Sequence, residues 1–189
     1  MDLAEIAVAT ALAWGAGLRA YAVIFLVGLA GTFGWFELPE HLRLLQHPLV
    51  LGASGFMTLV EFFADKLPWL DSVWDAVHSF IRIPAGAALA AAVFGDSGAA
   101  VALAAAILGG TLAAGVHATK AGTRAALNTS PEPLSNWTAS LAEDALVPAG
   151  LWLSVAHPAV FFVLLAVFLV ASVLLVRFIW RGLRSLLLP

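Results

Sequence analysis

The sequence predicts an all-α protein, a polytopic transmembrane helical bundle of about six spans, and three observations carry that prediction. Apolar residues make up 62% of the chain and charged ones 11%, against roughly 45–50% and about 25% in soluble domains. Mean hydropathy is +0.97, which is more apolar surface than a water-soluble core absorbs, so most of it must face lipid. No charged or Ser/Gly-rich linker interrupts the 189 residues, which argues for a single transmembrane domain over 1–189.

Leu3–Trp14 is apolar apart from Glu5 and Thr10, and Gly15-Ala16-Gly17 then loosens the helix. Gly17–Phe33 is long enough for a short span at ~1.5 Å per residue, with Arg19 near its start. One long kinked helix, or an interfacial helix followed by a span from Gly17, both fit. Gly-x-Gly beside an arginine favours a broken first helix whose backbone lines a polar space. Asp2 and Glu5 stand where a signal peptide carries basic residues, so no cleaved leader is expected.

Trp35, Phe36 and Pro39 form an interfacial turn, with Glu37, Glu40, His41 and Arg43 in water. Pro48–Phe63 is the second span, with Glu61 and Asp65 on one face of its end. Ile83–Phe94 is the third, and Asp96 and Gly98 turn the chain into an Ala/Gly-rich fourth span from Ala99. Gly86/Ala90 and Gly110/Ala114 are small-xxx-small pairs that allow close helix approach. The fourth helix continues past His117, Lys120 and Arg124, which share a stripe, until Asn128-Thr129-Ser130-Pro131-Glu132-Pro133 ends it. Leu141–Ala156 is the fifth span. His157-Pro158 leads into the sixth, Ala159–Val176, closed by Arg177, Arg181 and Arg184.

Two stretches, 64–95 and 128–156, read as an internal repeat. Pro68 is followed by Asp71, Asp75 and His78, and Pro133 at the same offsets by Asn136, Ser140 and Glu143. Those offsets put three side chains on one helical stripe. Each unit therefore reads as a Pro-initiated helix with a polar stripe, a break at Pro84 or Pro148, and an apolar continuation. With six spans, Lys66, Arg82, Lys120, Arg124, Arg177, Arg181 and Arg184 share one side, seven of the nine basic residues. The positive-inside bias makes that side cytoplasmic, with the C-terminus and both polar segments on it, and makes the two units parallel repeats.

Several runs resemble a known family. Ala64-Asp65-Lys66-Leu67-Pro68 with Asp71-Ser72-x-Trp74-Asp75-x-x-His78, and Asn128-Thr129-Ser130-Pro131-Glu132-Pro133 with Ser135-Asn136, are similar to the bacterial integral-membrane family termed domain of unknown function (DUF) 4126. Gly17-Leu18-Arg19-Ala20-Tyr21 resembles that family's first-span motif, with arginine where asparagine is more usual. The resemblance implies a small multispan protein of the bacterial cytoplasmic (inner) membrane. It brings no activity or ligand.

The polar residues admit two readings each. Asp71, Asp75, His78 and Arg82 either line a hydrated cavity or lie on an amphipathic helix facing water, with Asp71 capping it. His117, Lys120 and Arg124 either bind lipid head groups or face Glu143, Asp144 or a bound anion. Asn128, Ser130, Ser135 and Asn136 sit in a Pro-fixed turn able to close over a ligand. Glu61, Asp65 and Lys66 read as a helix-end ion pair and, with Arg19, form a second tier. Trp69, Trp74, Trp137 and Trp180 read as interfacial belt residues. No His-x-x-x-His, Gly-x-Ser-x-Gly or phosphate-binding glycine loop is present, and there is no cysteine, so no metal or cofactor is expected. A net charge of −3 argues against nucleic acid. Two units delivering helix starts and polar stripes to one centre suit a transporter. The expected function is a small transporter or lipid flippase for an anionic or amphipathic substrate, a homo-oligomer whose partners are membrane lipids. The alternatives are a membrane enzyme acting on a lipid head group through His78 and a carboxylate, or an assembly scaffold.

Overall fold

The structure, a computed structural model, describes residues 2–67, 69–129 and 133–187, with Pro133 and 182–187 described by their backbone only. The helices are α1 Leu3–Thr32, α2 Pro48–Ala64, α3 Leu70–Val93, α4 Ala99–Leu127, α5 Pro133–Ala156 and α6 Pro158–Leu187. Short 3-10 segments at Glu40–Gln46 and Gly95–Ser97 complete the set, and no strand occurs among the described residues. Local chemistry explains the helix starts. Asp2 and Glu5 make a reciprocal capping box at α1. The His47 ring accepts from the Leu49 amide ahead of Pro48 at the start of α2.

α1 is the centre of the bundle, and it is not one straight rod. Arg19 has φ −148° and ψ 80°, outside the helical region. A Cβ on Gly15 would lie 2.8 Å from Val23 Cγ2, whereas eight residues of unbroken helix span about 12 Å. Val8 and Leu12 share a cavity wall with Val27 and Ala30. The first helix is thus broken, as expected, and the break lies at Arg19, where the chain doubles back into two packed arms. Alanine and glycine make the fold-back possible: Ala7, Ala11, Ala13, Ala16 and Ala20 are fully buried, and their small side chains let backbones approach.

The second arm runs against α2, with Gly28 beside Leu45 and Leu51 and Phe25 beside Gly55. This brings the C-terminal end of α2, with Glu61 and Asp65, to the level of Arg19. α3 and α4 pack against the first arm through small residues. A Cβ on Gly17 would sit 2.6 Å from the Ala113 carbonyl oxygen, and one on Gly109 would sit 2.5 Å from Ala90 Cβ. The tightest α4 contacts are thus at Gly109 and Ala113, and the expected Gly110 also meets α3, where a Cβ would lie 3.2 Å from Ala87 Cβ.

The expected helix breaks at the second prolines are absent, since α3 contains Pro84 and α5 contains Pro148 within continuous helix. A proline removes one ladder bond, and in a membrane bundle the freed carbonyl is readily re-satisfied. α1, α3, α4 and Pro158–Arg181 of α6 are long and apolar enough to cross a membrane. The Glu40–Gln46 segment and α2, bent by 68°, make a fifth span if taken together, and α5 is not in this set. α1 qualifies by length, but it is not one straight rod, since its two arms pack against each other across the break at Arg19.

Large apolar side chains clad the outside: Phe56 and Phe63 on α2, Val77 and Phe80 on α3, Leu108 on α4, Trp152 on α5 and Val163 on α6 are all exposed. In water such a surface would be untenable; in lipid it is the expected exterior. The chain is a helical membrane protein.

The hairpin predicts sidedness. In this cysteine-free chain, single cysteines at Asp2 and Glu37 should react with an impermeant maleimide from the same face of sealed vesicles. One at Thr129 should react from the other face. Labelling of Asp2 and Glu37 from opposite faces would show that α1 crosses once.

Candidate functional site

The inward stripe of α3 starts the site. Asp71, Asp75, His78 and Arg82 are buried while Val73, Val77 and Phe80 on the same turns are exposed, Phe80 at 84%. The polar face therefore points into the bundle and the apolar face points out, which removes the reading of a water-facing amphipathic helix. Arg82 is the anchor. Its Nη2 bonds Glu61 Oε1 at 2.6 Å and its Nη1 bonds Asp75 Oδ1 at 2.5 Å. Arg82 Nη1 also donates to His117 Nδ1 at 3.1 Å.

From α4, Lys120 reaches Asp65 Oδ2 at 2.7 Å, Glu143 Oε2 at 3.1 Å and Asp75 Oδ1 at 3.5 Å. It also donates to the Leu18 carbonyl at 3.2 Å, an acceptor at the reversal in α1. One turn on, Arg124 Nη1 donates to the backbone and side-chain oxygens of Asn136 at 2.9 and 2.8 Å and to the Asp65 carbonyl at 3.1 Å. Arg124 Nη2 lies 3.2 Å from Glu143 Oε1. From the tip of α1, Arg19 meets Asp65 Oδ2 at 3.2 Å and Asp144 Oδ1 at 3.0 Å, and donates to Ser140 Oγ at 3.0 Å. Lys66 sits 3.0 Å above the Phe62 ring and 3.4 Å from Asp144.

An amide layer closes the end of the network. Asp71 accepts from Asn128 Nδ2 at 2.8 Å and from Asn136 Nδ2 at 2.9 Å, and Asn136 Nδ2 also donates to Asn128 Oδ1 at 3.0 Å. Asp71 and Asn136, matched by offset in the two sequence units, thus touch directly. Arg19, Lys66, Arg82, Lys120 and Arg124 face Glu61, Asp65, Asp71, Asp75, Glu143 and Asp144, so the carboxylates exceed the cations by one.

The placements differ from expectation at several residues. Glu61 and Asp65 are not a helix-end pair with Lys66; they are the counter-ions of Arg82 and Lys120. Arg19, second-tier by sequence, is at the centre. His78 lies outside the ion network: its Nδ1 meets the Trp74 carbonyl at 2.7 Å and its ring stacks on Trp74 at 4.0 Å. Trp74 therefore packs inward on His78, whereas Trp69, Trp137 and Trp180 are exposed. Ser135 is half-buried in the first turn of α5, and Ser130 lies outside the described residues. Sequence reasoning left out Ser140, which bonds Arg19 and Lys66, and Ser79, whose Oγ is 2.7 Å from His117 Nε2. Ser140 stood on the repeat stripe beside Asn136 and could have been included; Ser79 carried no such signal.

The residues that build this network span most of the chain, and so does the likeness to known sequences. The profile described as Domain of unknown function (DUF4126) matches residues 6–178. The chain belongs to the DUF4126 family. The match covers every helix that contributes to the network. Searches of curated proteins and of solved structures returned no match. Among the described residues of this DUF4126 protein, no group of three or more His or carboxylate side chains is placed to hold a metal ion.

Breaking a buried pair leaves its partner charged and unsolvated, at a cost of about 3–5 kcal/mol. Arg82→Met should therefore destabilise the detergent-solubilised protein by about that much, measured by thermal unfolding. Adding Glu61→Met to it should recover part of the loss. Equal stability of Arg82→Met and the parent would show that the pair is not buried in the membrane protein.

Proposed function

We propose that this protein is a small membrane carrier or lipid flippase for an amphipathic substrate with an anionic group, handled at the ion network. The observation that supports this reading is the network itself: charged side chains buried in a lipid-clad bundle. Ionisable groups at such depth are costly to keep, and replacing buried ion pairs by apolar residues is often neutral or stabilising, so the network has its rationale in handling charge. A second feature favours an amphipathic substrate. A cavity of about 440 Å³, apolar in its lining, lies between the arms of α1 and the Pro148–Ala156 part of α5. The same helix carries Glu143 and Asp144. An acyl chain in the cavity and a head group at the network would both be read by α5.

The enzymatic alternative draws less support. Arg82 donates to His117 Nδ1, so the neutral ring carries its proton on Nε2 and gives it to Ser79 Oγ, whose hydroxyl donates to the Asp75 carbonyl. A serine nucleophile needs the reverse, an Nε2 free to accept. Among the described residues no carboxylate pairs with His78, whose partners are Trp74 and Tyr21.

We also propose a homo-oligomer in the bacterial inner membrane with a cytoplasmic C-terminus. Lys66, Arg82, Lys120 and Arg124 lie in the network and do not count as loop charges, so this orientation rests on Arg177, Arg181 and Arg184.

The test is reconstitution into sealed liposomes holding trace fluorescent phosphatidylglycerol, phosphatidylserine or phosphatidylcholine, with dithionite added outside. Bleaching of the anionic lipids should pass the outer-leaflet plateau, and Lys120→Met should return it to that plateau. The plateau of protein-free vesicles with all three lipids would overturn the flippase reading.

A further inference from the structure

Glu143 differs from the other carboxylates around it. Asp65, Asp71 and Asp75 are at most 1% exposed, while Glu143 is 12% and its neighbour Asp144 24% exposed. Glu143 is also where three cations from two helices converge: Lys120 at 3.1 Å, Arg124 Nη2 at 3.2 Å and Arg19 Nη2 at 3.8 Å. Each of the three is itself at least nine-tenths buried. Their other counter-ions are fixed elsewhere in the bundle. Lys120 holds Asp65 and Asp75, and Arg19 holds Asp65 and Asp144.

A second observation concerns Arg124. Its Nη1 is fully engaged with Asn136 and the Asp65 carbonyl. Its Nε and Nη2, the edge that presents two parallel donors, have no hydrogen-bond partner although Arg124 is 1% exposed. Glu143 approaches Nη2 as an ion pair without meeting that fork. A paired N–H edge of guanidinium is matched by two oxygens of one oxyanion, and no carboxylate among the described residues supplies them: Glu143 nears Nη2 through one oxygen and Asp65 stands 4.0 Å from it.

We infer that Glu143 is an internal stand-in: its carboxylate occupies a site for a phosphate-class oxyanion, and the substrate's phosphate displaces it. An incoming phosphate or phosphodiester would take the Arg124 fork through two oxygens and Lys120 through a third. Glu143 would move toward the solvent-accessible side already marked by Asp144, and Lys66 stands there at 3.4 Å from Asp144. The facing groups are then Arg19 from α1, Asp65 after α2, Asp75 from α3 and Lys120 and Arg124 from α4. This inference rests on the carrier reading only for the origin of the phosphate, lipid or free; the site itself follows from the geometry.

The probes are inorganic phosphate and short-chain phosphatidic acid, each against chloride at matched ionic strength, with thermal unfolding of the detergent-solubilised full chain as readout. Glu143→Gln removes the competing charge and keeps the side chain's shape. It should be stabilised by phosphate at a concentration at least about tenfold lower than the parent requires, equivalent to 1.4 kcal/mol of lost competition. Arg124→Gln in the Glu143→Gln background should abolish the shift. If Glu143→Gln is unfolded without added anion, its recovery on adding phosphate supports the assignment and failure to recover overturns it. A response equal to the parent's, or one reproduced by chloride, also overturns it. A response to phosphatidic acid but not to inorganic phosphate assigns the site to lipid, and the converse assigns it to free phosphate. Phosphate binding without lipid movement would sink the flippase reading and leave this site standing; lipid movement without the Glu143→Gln effect would do the opposite.

Discussion

A cation inside a lipid-clad bundle cannot stand alone, and this constraint sets how the helices meet. Arg82 on α3 must have Glu61 from α2, and Lys120 on α4 must have Asp65. At low dielectric the attraction is large but so is the desolvation cost, so the pairs act less as glue than as registration pins. Sliding α3 by one residue would turn Arg82 toward the lipid side and leave Glu61 without its counter-ion. Apolar packing between Ala- and Gly-rich surfaces is permissive about register; the ion pairs are not.

The fold-back of α1 is the second half of the same arrangement. The reversal at Arg19 leaves a backbone acceptor, the Leu18 carbonyl, facing Lys120. It also points a guanidinium at carboxylates of α5. A straight first helix would have carried Arg19 past the centre on a rigid rod. Doubling the chain back places a tip there, with small residues on both arms filling the space that a broader helix pair would leave open.

Much of the site could be read from the sequence, because helical periodicity is a strong signal. Asp71, Asp75 and Arg82 fall on one face, His117, Lys120 and Arg124 on another, and the Asn136–Glu143 stripe matches the first by offset. What periodicity cannot say is which way a stripe points, and the water-facing alternative was equally compatible with it. The inward direction comes from tertiary packing of α3 against α4 and α1. His78 shows the limit at single-residue scale: it shares the stripe yet finds its partners in Trp74 and Tyr21. The reversal at Arg19 was less legible still. Gly15-Ala16-Gly17 loosens a helix in many geometries, and only the contacts with Val116, Ala113 and Val147 select this one. Prolines misled in the other direction, since Pro84 and Pro148 suggest breaks that the surrounding helices absorb.

The doubled-back α1 also has a consequence for the order of assembly. Arg19 lies early in the chain, yet one of its partners, Ser140, follows 121 residues later, and Asp144 later again. An arginine at bilayer depth without its counter-charges is penalised by about 2.5–3.5 kcal/mol even on the most lenient insertion scale. The seat of Arg19 is therefore half furnished by Asp65 at the end of α2 and complete only with Asp144 and Ser140 of α5 in place.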